Sequence, residues 1–341
     1  MKTDAFDYEL PPERIAQHPA ERRDQSRLLV LERATGRTRH LRFAELPSLV
    51  AAGDALVLNE TRVFPARLLG RKPTGAPAEI LLLRPLEDDR HWLALVRPGS
   101  KLKPGRVVDI ADDFRVRILD STEAGERVVE LLADDPAAAI ERYGRMPLPP
   151  YIVRDADADD AERYQTVYAR EAGSVAAPTA GLHFTPELLD AIAARGATIE
   201  RIVLHVGVGT FRPVEVDDPA EHRMHAEWYH VPDAAAARLN AIRSAGGALW
   251  AVGTTVARTL ETIADDDGVL HAGSGWTDIF IRPPYRFRAL DRLITNFHLP
   301  RSTLLMLVSA FGGHDAVMAA YREAVEREYR FYSYGDAMAL I

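Results

Sequence analysis

The stretch "TPELLDAIAARGATIERIVLHV", residues 185–206, changes periodicity halfway along, and that change decides the fold class. Its first half reads as a helix, with Thr185 as N-cap, Pro186 at the first helical position and Gly196 as the terminating glycine. Its second half, "ATIERIVLHV", is β-branched and apolar and reads as a strand. The alternation returns downstream. "DAAAARLNAIRSAGG" (233–247) is a helix, "ALWAV" (248–252) a buried strand and "TTVARTLETIA" (254–264) a helix. "RLITNF" (292–297) and "STLLMLVSAFGG" (302–313) repeat the strand and the helix. Such alternation predicts an α/β fold: a mixed, largely parallel sheet with flanking helices.

Upstream, "RLLVLER" (27–33) and "ALVLNET" (55–61) read as strands around a short helix, "FAELPSLVAAG" (43–53). From residue 62 the texture changes. The runs "AEILLLR", "HWLALVR", "RVVDI", "FRVRIL" and "RVVELL" alternate with Pro, Gly and Asp turns, the pattern of a small antiparallel β-barrel or sandwich. "RMPLPPYIV" (145–153) closes this region as a proline-rich hinge. The expected organisation is an α/β domain of residues 1–60 and 151–341, with residues 61–150 inserted as a β-barrel-like domain.

The chain has 341 residues, 47% hydrophobic and 27% charged, which supports a packed core and not a disordered chain. It contains no cysteine, which excludes disulfides and thiolate-bound zinc or iron–sulfur clusters and fits a reducing cytoplasm. "MKTDAFDYEL" has no apolar segment of the kind that directs secretion, and the longest apolar run, Leu304 to Phe311, is too short to span a bilayer. A cytoplasmic protein without a membrane segment is expected. The net charge of −8 argues against a polyanionic partner, but its distribution does not. "RVFPARLLGRK" (62–72) and "RPGSKLKPGR" (97–106) carry four cations each and no acid, whereas "RDADADDAE" (154–162) gathers acids. A locally basic face on an acidic protein can meet phosphates.

Ligands in open α/β sheets bind beyond the carboxyl ends of the strands. Four loops expected there are rich in polar side chains: "VGTT" with Thr254 and Thr255, "NFHLPRST" with Asn296, His298, Ser302 and Thr303, "APTAGLHFT" with Thr179, Gly181 and His183, and "HVGVGTF" with Gly209 and Thr210. The paired hydroxyl residues fit helix caps, or a helix start that binds a carboxylate or phosphate. Asn-Phe-His at a strand end is no ordinary turn formula, and neither a turn nor a cap calls for His183. His183 is therefore expected to face a cleft assembled by the other loops. "EHRMHAEWYH" (221–230) brings His222, His225, Glu227 and His230 together, but without a His-Glu-x-x-His arrangement. Proton transfer by His225 with Glu227 fits it better than a metal.

Together these loops resemble the S-adenosylmethionine:tRNA ribosyltransferase-isomerases of queuosine biosynthesis. The resemblance runs the whole chain, through "FDYELPPERIAQHP", "RDQSRLLVL", "GDALVLNETRVFPARLLG", "APTAGLHFT", "HVGVGTFRPV", "MHAEWY", "AVGTTVARTLE", "TDIFIRPPYRFRALDRLITNFHLPRSTLLMLVSAFGG" and "YRFYSYGDAM". It departs at Pro284, where the family usually has glycine. It implies a two-domain fold and transfer of the ribosyl part of S-adenosylmethionine to 7-aminomethyl-7-deazaguanine at a tRNA wobble position. Epoxyqueuosine forms, and adenine and methionine leave. S-adenosylmethionine is then a co-substrate, and no metal or redox cofactor is expected.

On this resemblance His183, His225 and Glu227 are the catalytic candidates, because a sulfonium acidifies the neighbouring ribose C–H and the attacking amine must lose a proton. Phe184, Trp228 or Phe297 suits the sulfonium cation. Thr179, Gly181, Gly209, Thr210, Thr254, Thr255, Asn296, His298, Ser302 and Thr303 are the expected substrate-binding residues. Asn59, Tyr285 and Asn296 suit splayed anticodon bases, and Arg62, Arg67, Arg282 and Arg286 suit phosphates of a tRNA anticodon loop. The chain is expected to be a monomer. The rival readings are an RNA methyltransferase, prompted by "HVGVGTF" but lacking that fold's glycine-rich opening, and a non-catalytic tRNA-binding protein.

Overall fold

The computed structural model describes residues 1–123, 125–154, 156–207, 214 and 216–341. The chain opens with strands β1 (Arg27–Leu31), β2 (Thr38–Arg42), β3 (Ala55–Asn59) and β4 (Thr61–Val63). Next come β5 (Arg67–Arg71), β6 (Pro77–Pro85), β7 (His91–Arg97), β8 (Val107–Ala111), β9 (Phe114–Ser121) and β10 (Arg127–Leu132). Helices α1 (Pro136–Tyr143) and α2 (Asp160–Arg163) lead to β11 (Glu171–Ser174), α3 (Pro186–Ala194) and β12 (Thr198–Leu204). There follow β13 (Glu227–Val231), α4 (Asp233–Ser244), β14 (Leu249–Val252) and α5 (Thr254–Ile263). The last elements are β15 (Gly273–Thr277), β16 (Arg292–Asn296), α6 (Thr303–Gly312), α7 (His314–Glu326) and β17 (Ala337–Leu340).

The deciding stretch folds as it reads. Thr185 Oγ1 accepts the Leu188 N–H at 3.2 Å, Pro186 starts α3, and Gly196 ends it with φ +91°. Strand β12 then enters a nine-stranded mixed sheet in the order β15-β13-β12-β3-β14-β16-β17-β1-β2. Its centre, β12-β3-β14-β16, is parallel, as is β17 with β1. Strand β3 is buried along its whole length, as a strand covered on both faces must be. One core packs α5, α6 and α7 on one face, and a second packs α3 and Phe43 on the other.

Strand β17 runs antiparallel to β16. One crossover helix returns a chain to the edge it left; here α6 and α7, bent by 116° at their junction, carry it out and back. It therefore enters β17 from the edge where β16 ends. Strands β2, β13, β15 and β17 carry little local signal, and only the pairing reveals them; helix α7 was not among the expected elements although "HDAVMAAYREAVE" is amphipathic. The helix expected over 43–53 is one 3-10 segment, Phe43–Ser48, with Pro47 inside it. Strands β5 to β10 close into an antiparallel barrel in the order β10-β7-β6-β5-β8-β9 around Leu68, Ile80, Leu82, Phe114, Val116, Ile118 and Val129. Closure leaves it no unpaired edge. The barrel meets the rest of the chain through β4, paired with β11, and through a bridge between Arg67 and Arg145.

Candidate active site

The carboxyl ends of β3, β12, β14 and β16 share one edge of the sheet, and the antiparallel β17 brings residues 332–336 to it. A cleft opens there. Thr179, Thr254, Thr255, Asn296, His298 and Ser302 line it together with Tyr151, Phe297 and Tyr332. Six of the expected substrate-binding residues thus meet in one place. Thr303 lies buried just behind, as the first residue of α6, while Ser302 caps that helix by accepting the Leu305 N–H at 3.1 Å. Gly181 serves packing: a Cβ there would sit 2.0 Å from the Tyr168 hydroxyl. Gly209 and Thr210 lie outside the described residues.

Asn296 holds the cleft wall. Its Nδ2 donates to His183 Nε2 and to the Tyr332 carbonyl, both at 3.1 Å, while its Oδ1 is buried without a partner among the described residues. The Tyr332 carbonyl fixes this orientation, because a flipped amide would set oxygen against oxygen. His183 Nε2 must then accept, so Nδ1–H donates to Ser26 Oγ at 2.7 Å, and Ser26 in turn donates to the Arg23 carbonyl at 3.3 Å. Burial lowers the His183 imidazole to about 4, so it is neutral at neutral pH, and its ring stacks on Phe43 at 4.9 Å. The expectation that His183 faces the main cleft is corrected here. It lies behind Asn296, on a separate small cavity beside Arg23, Arg163 and Arg330. His298 does line the main cleft; burial lowers it to about 3, and its Nε2 lies 2.7 Å from the Thr295 hydroxyl.

A second, larger cleft separates the barrel from the edge strands. Arg84, Leu93 and Leu95 of β6 and β7 face His205, His225, Glu227, Trp228 and Trp276 across it, and Val206 lines both clefts. His225 is exposed on its wall. Trp228 stacks between His205 at 5.1 Å and His230 at 6.2 Å. Glu227 is buried; it pairs with the buried Arg258 and accepts the Gly207 N–H at 2.8 Å. Of the proposed sulfonium partners, Phe297 lines the first cleft and Trp228 the second, whereas Phe184 is buried edge-on to Phe43 in the core. Among the described residues no group of three or more His, Asp or Glu is placed to hold a metal ion.

The expected tRNA residues separate. Arg67 lines a third cleft beneath the barrel, where it pairs with Glu79 at 3.1 Å, and Arg62 is exposed, 3.8 Å from Glu141. Arg282, Tyr285 and Arg286 line none of these clefts; the Tyr285 hydroxyl is tied to Glu261 on α5 at 3.1 Å. Asn59 is fully buried within the fold. Its Nδ2 donates to the Leu204 carbonyl at 2.9 Å, and its Oδ1 accepts the Leu204 and Thr61 N–H groups at 3.0 and 3.1 Å. Asn59→Ala should therefore cost about 3 kcal/mol of stability, since it strands buried backbone groups. Urea unfolding would read this; unchanged stability with weakened tRNA binding would return Asn59 to base recognition.

Ser26, His205, Arg258, Trp276 and Tyr332 belong to these sites but were not singled out from the sequence. An arginine in the buried helix after "VGTT" is the one local signal among them.

Comparison with known proteins accounts for the whole chain. A family model described as "Queuosine biosynthesis protein" matches residues 3–340. The S-adenosylmethionine:tRNA ribosyltransferase-isomerase of Symbiobacterium thermophilum is 58% identical over 344 residues, and that of Moorella thermoacetica 57% over 345, each covering all of both chains. The crystal structure of the S-adenosylmethionine tRNA ribosyltransferase from Thermotoga maritima superposes with a TM-score of 0.57 at 41% identity, covering 99% of this chain and 100% of that one. With an α/β sheet, a closed barrel and two clefts joined at Val206, this chain belongs to the queuosine biosynthesis protein family.

Proposed function

We infer that this chain is an S-adenosylmethionine:tRNA ribosyltransferase-isomerase of queuosine biosynthesis. The observation that carries this is the match over essentially the full length to relatives of that name. The reaction joins the aminomethyl nitrogen of 7-aminomethyl-7-deazaguanine to the ribosyl unit of S-adenosylmethionine. The bonds from that unit to adenine and to the methionine sulfur break, and epoxyqueuosine remains on the tRNA.

In this reading residues 1–60 and 151–341 form the catalytic domain and 61–150 the inserted one. The first cleft holds S-adenosylmethionine, with its carboxylate at the start of α5 by Thr254 and Thr255 and its sulfonium near the Phe297 ring. The modified base enters the second cleft and stacks against Trp228. His225, exposed on that wall, takes the proton as general base. Glu227 acts as a positioning residue: by gripping Gly207 it fixes Val206 between the two substrates. His183 is a positioning residue as well. Gly209 and Thr210 stay substrate-binding candidates. Arg62 and Arg67 flank the clefts and take phosphates, with Arg282, Tyr285 and Arg286 as more distant tRNA contacts. The protein works as a cytoplasmic monomer without a metal or redox cofactor; among the described residues no single helix is long and apolar enough to cross a membrane.

The test is product analysis with S-adenosylmethionine and tRNA carrying the aminomethyl-deazaguanine. Adenine and methionine should appear, and EDTA should not stop them. Formation of S-adenosylhomocysteine instead would make the protein a methyltransferase, and tRNA binding without turnover would make it a binding protein. Affinity for tRNA should fall steeply with salt, and Arg62→Glu with Arg67→Glu should weaken it while sparing S-adenosylmethionine. Unchanged tRNA affinity in that double variant would remove this surface.

A further inference from the structure

Three buried polar atoms of residues that line the first cleft have no partner among the described residues: Asn296 Oδ1, Thr255 Oγ1 and the Tyr332 hydroxyl. Their residues are 2%, 7% and 5% exposed, so water contributes little. Such groups are costly unless something else completes them. Tyr332 adds a second cost. Its φ of +71° is rare for a bulky side chain and strains the backbone. That conformation is also what offers its carbonyl to Asn296 Nδ2.

The chemistry these atoms require is specific. Asn296 Oδ1 can only accept, so its partner is an N–H or O–H donor. The start of α5 is the opposite. Its N-cap is Gly253, no side chain caps it, and its first-turn N–H groups attract an anion. The hydroxyls of Thr255 and Tyr332 can complete either group. No Asp, Glu, Lys or Arg lines this cleft among the described residues, and burial keeps His298 neutral. A lone anion or cation would find no counter-charge here. A group carrying both charges close together, and neutral in sum, fits a wall built from dipoles.

We propose that Asn296, Thr255 and Tyr332 form a subsite for the α-amino-acid end of the substrate, with Asn296 Oδ1 accepting from the ammonium and the carboxylate on the start of α5, and that His183 is a positioning residue that joins the Tyr332 carbonyl in holding the Asn296 amide in the accepting orientation. The proposal rests on the reading of the first cleft as the S-adenosylmethionine site. The buried bonds from Asn296 Nδ2 to His183 Nε2 and the Tyr332 carbonyl leave Oδ1 as the amide atom without a partner among the described residues.

Calorimetric binding of three probes to the full chain tests it: S-adenosylmethionine, its decarboxylated form, and 5′-methylthioadenosine, which lacks the amino-acid end. Asn296→Ala should weaken S-adenosylmethionine by about 10–100-fold and leave 5′-methylthioadenosine unchanged, which also shows that the variant is folded. Thr255→Val should weaken S-adenosylmethionine but not its decarboxylated form. His183→Leu should show the Asn296→Ala pattern with a smaller loss, since the Tyr332 carbonyl still holds the amide, and His183→Gln, whose amide oxygen can accept from Asn296, should restore part of the affinity. Equal losses for S-adenosylmethionine and 5′-methylthioadenosine would overturn the proposal and assign the atoms to the nucleoside half. An unaffected His183→Leu would overturn its positioning role. Failure of the wild-type protein to bind any probe would instead defeat the reading of the cleft itself.

Discussion

His225→Gln is expected to lower kcat by about 10²–10⁴-fold with little change in the affinity for either substrate. The expectation follows from where the two candidate bases lie. His183 is enclosed, with Nδ1 donating to Ser26 and Nε2 accepting from Asn296, so its lone pair is engaged unless Asn296 lets go. His225 stands exposed on the cleft that reaches the barrel, beside Trp228 and Glu227, where a reacting amine or ribose could come within range. His183→Gln should then act through KM, and His225→Gln through kcat. Steady-state kinetics on the two variants separates them. Loss of kcat at constant KM in His183→Gln, with His225→Gln active, would transfer the role of base to His183 and require the Asn296 bond to break during turnover.

Glu227→Ala is expected to destabilise the protein by about 3–5 kcal/mol, a fall in Tm on the order of 5–10 °C. The carboxylate and Arg258 are both almost wholly buried, with side chains 4% and 3% exposed, so removing one charge leaves the other in a poor dielectric without its partner. Among the described residues Arg258 would keep only long hydrogen bonds, to the Ile279 and Thr277 carbonyls at 3.3 and 3.4 Å. Combining Glu227→Ala with Arg258→Met should recover much of the loss, because it removes the orphaned charge. Calorimetric melting of the two variants checks this. Glu227→Gln, with a neutral group of the same shape still able to accept from Gly207, tells the roles apart. Normal melting with abolished turnover would make Glu227 a proton-transfer group.

The central architecture was legible because its signals are local. The α3–β12 pair announces itself through Thr185, Pro186 and Gly196, and β14 followed by α5 through an apolar run ending in Gly-Thr-Thr. The barrel was legible from turns spaced along short strands. Strands β13 and β15 were not, since "EWYHV" and "GSGWT" have weak period-two patterns and hold their place only by pairing with each other and with β12. Asn59 shows the same limit on the functional side. A polar side chain at a strand end looks available to a ligand until the neighbouring strand claims all of it.

The sequence by itself determined the α/β class, the barrel, the family, and which loops carry the polar residues of the first cleft, because helix caps, periodicity and ordered motifs are all written over short spans. Only the tertiary structure decided what those residues do to one another. Ser26, His183 and Asn296 form one chain of hydrogen bonds although 157 and 113 positions separate its links, and Tyr332 joins it because β17 enters the sheet in reverse. Whether a histidine ends as a base or as a brace depends on which groups meet its two nitrogens. Contacts that distant leave no periodic trace in the chain, so the packing alone chose between the two.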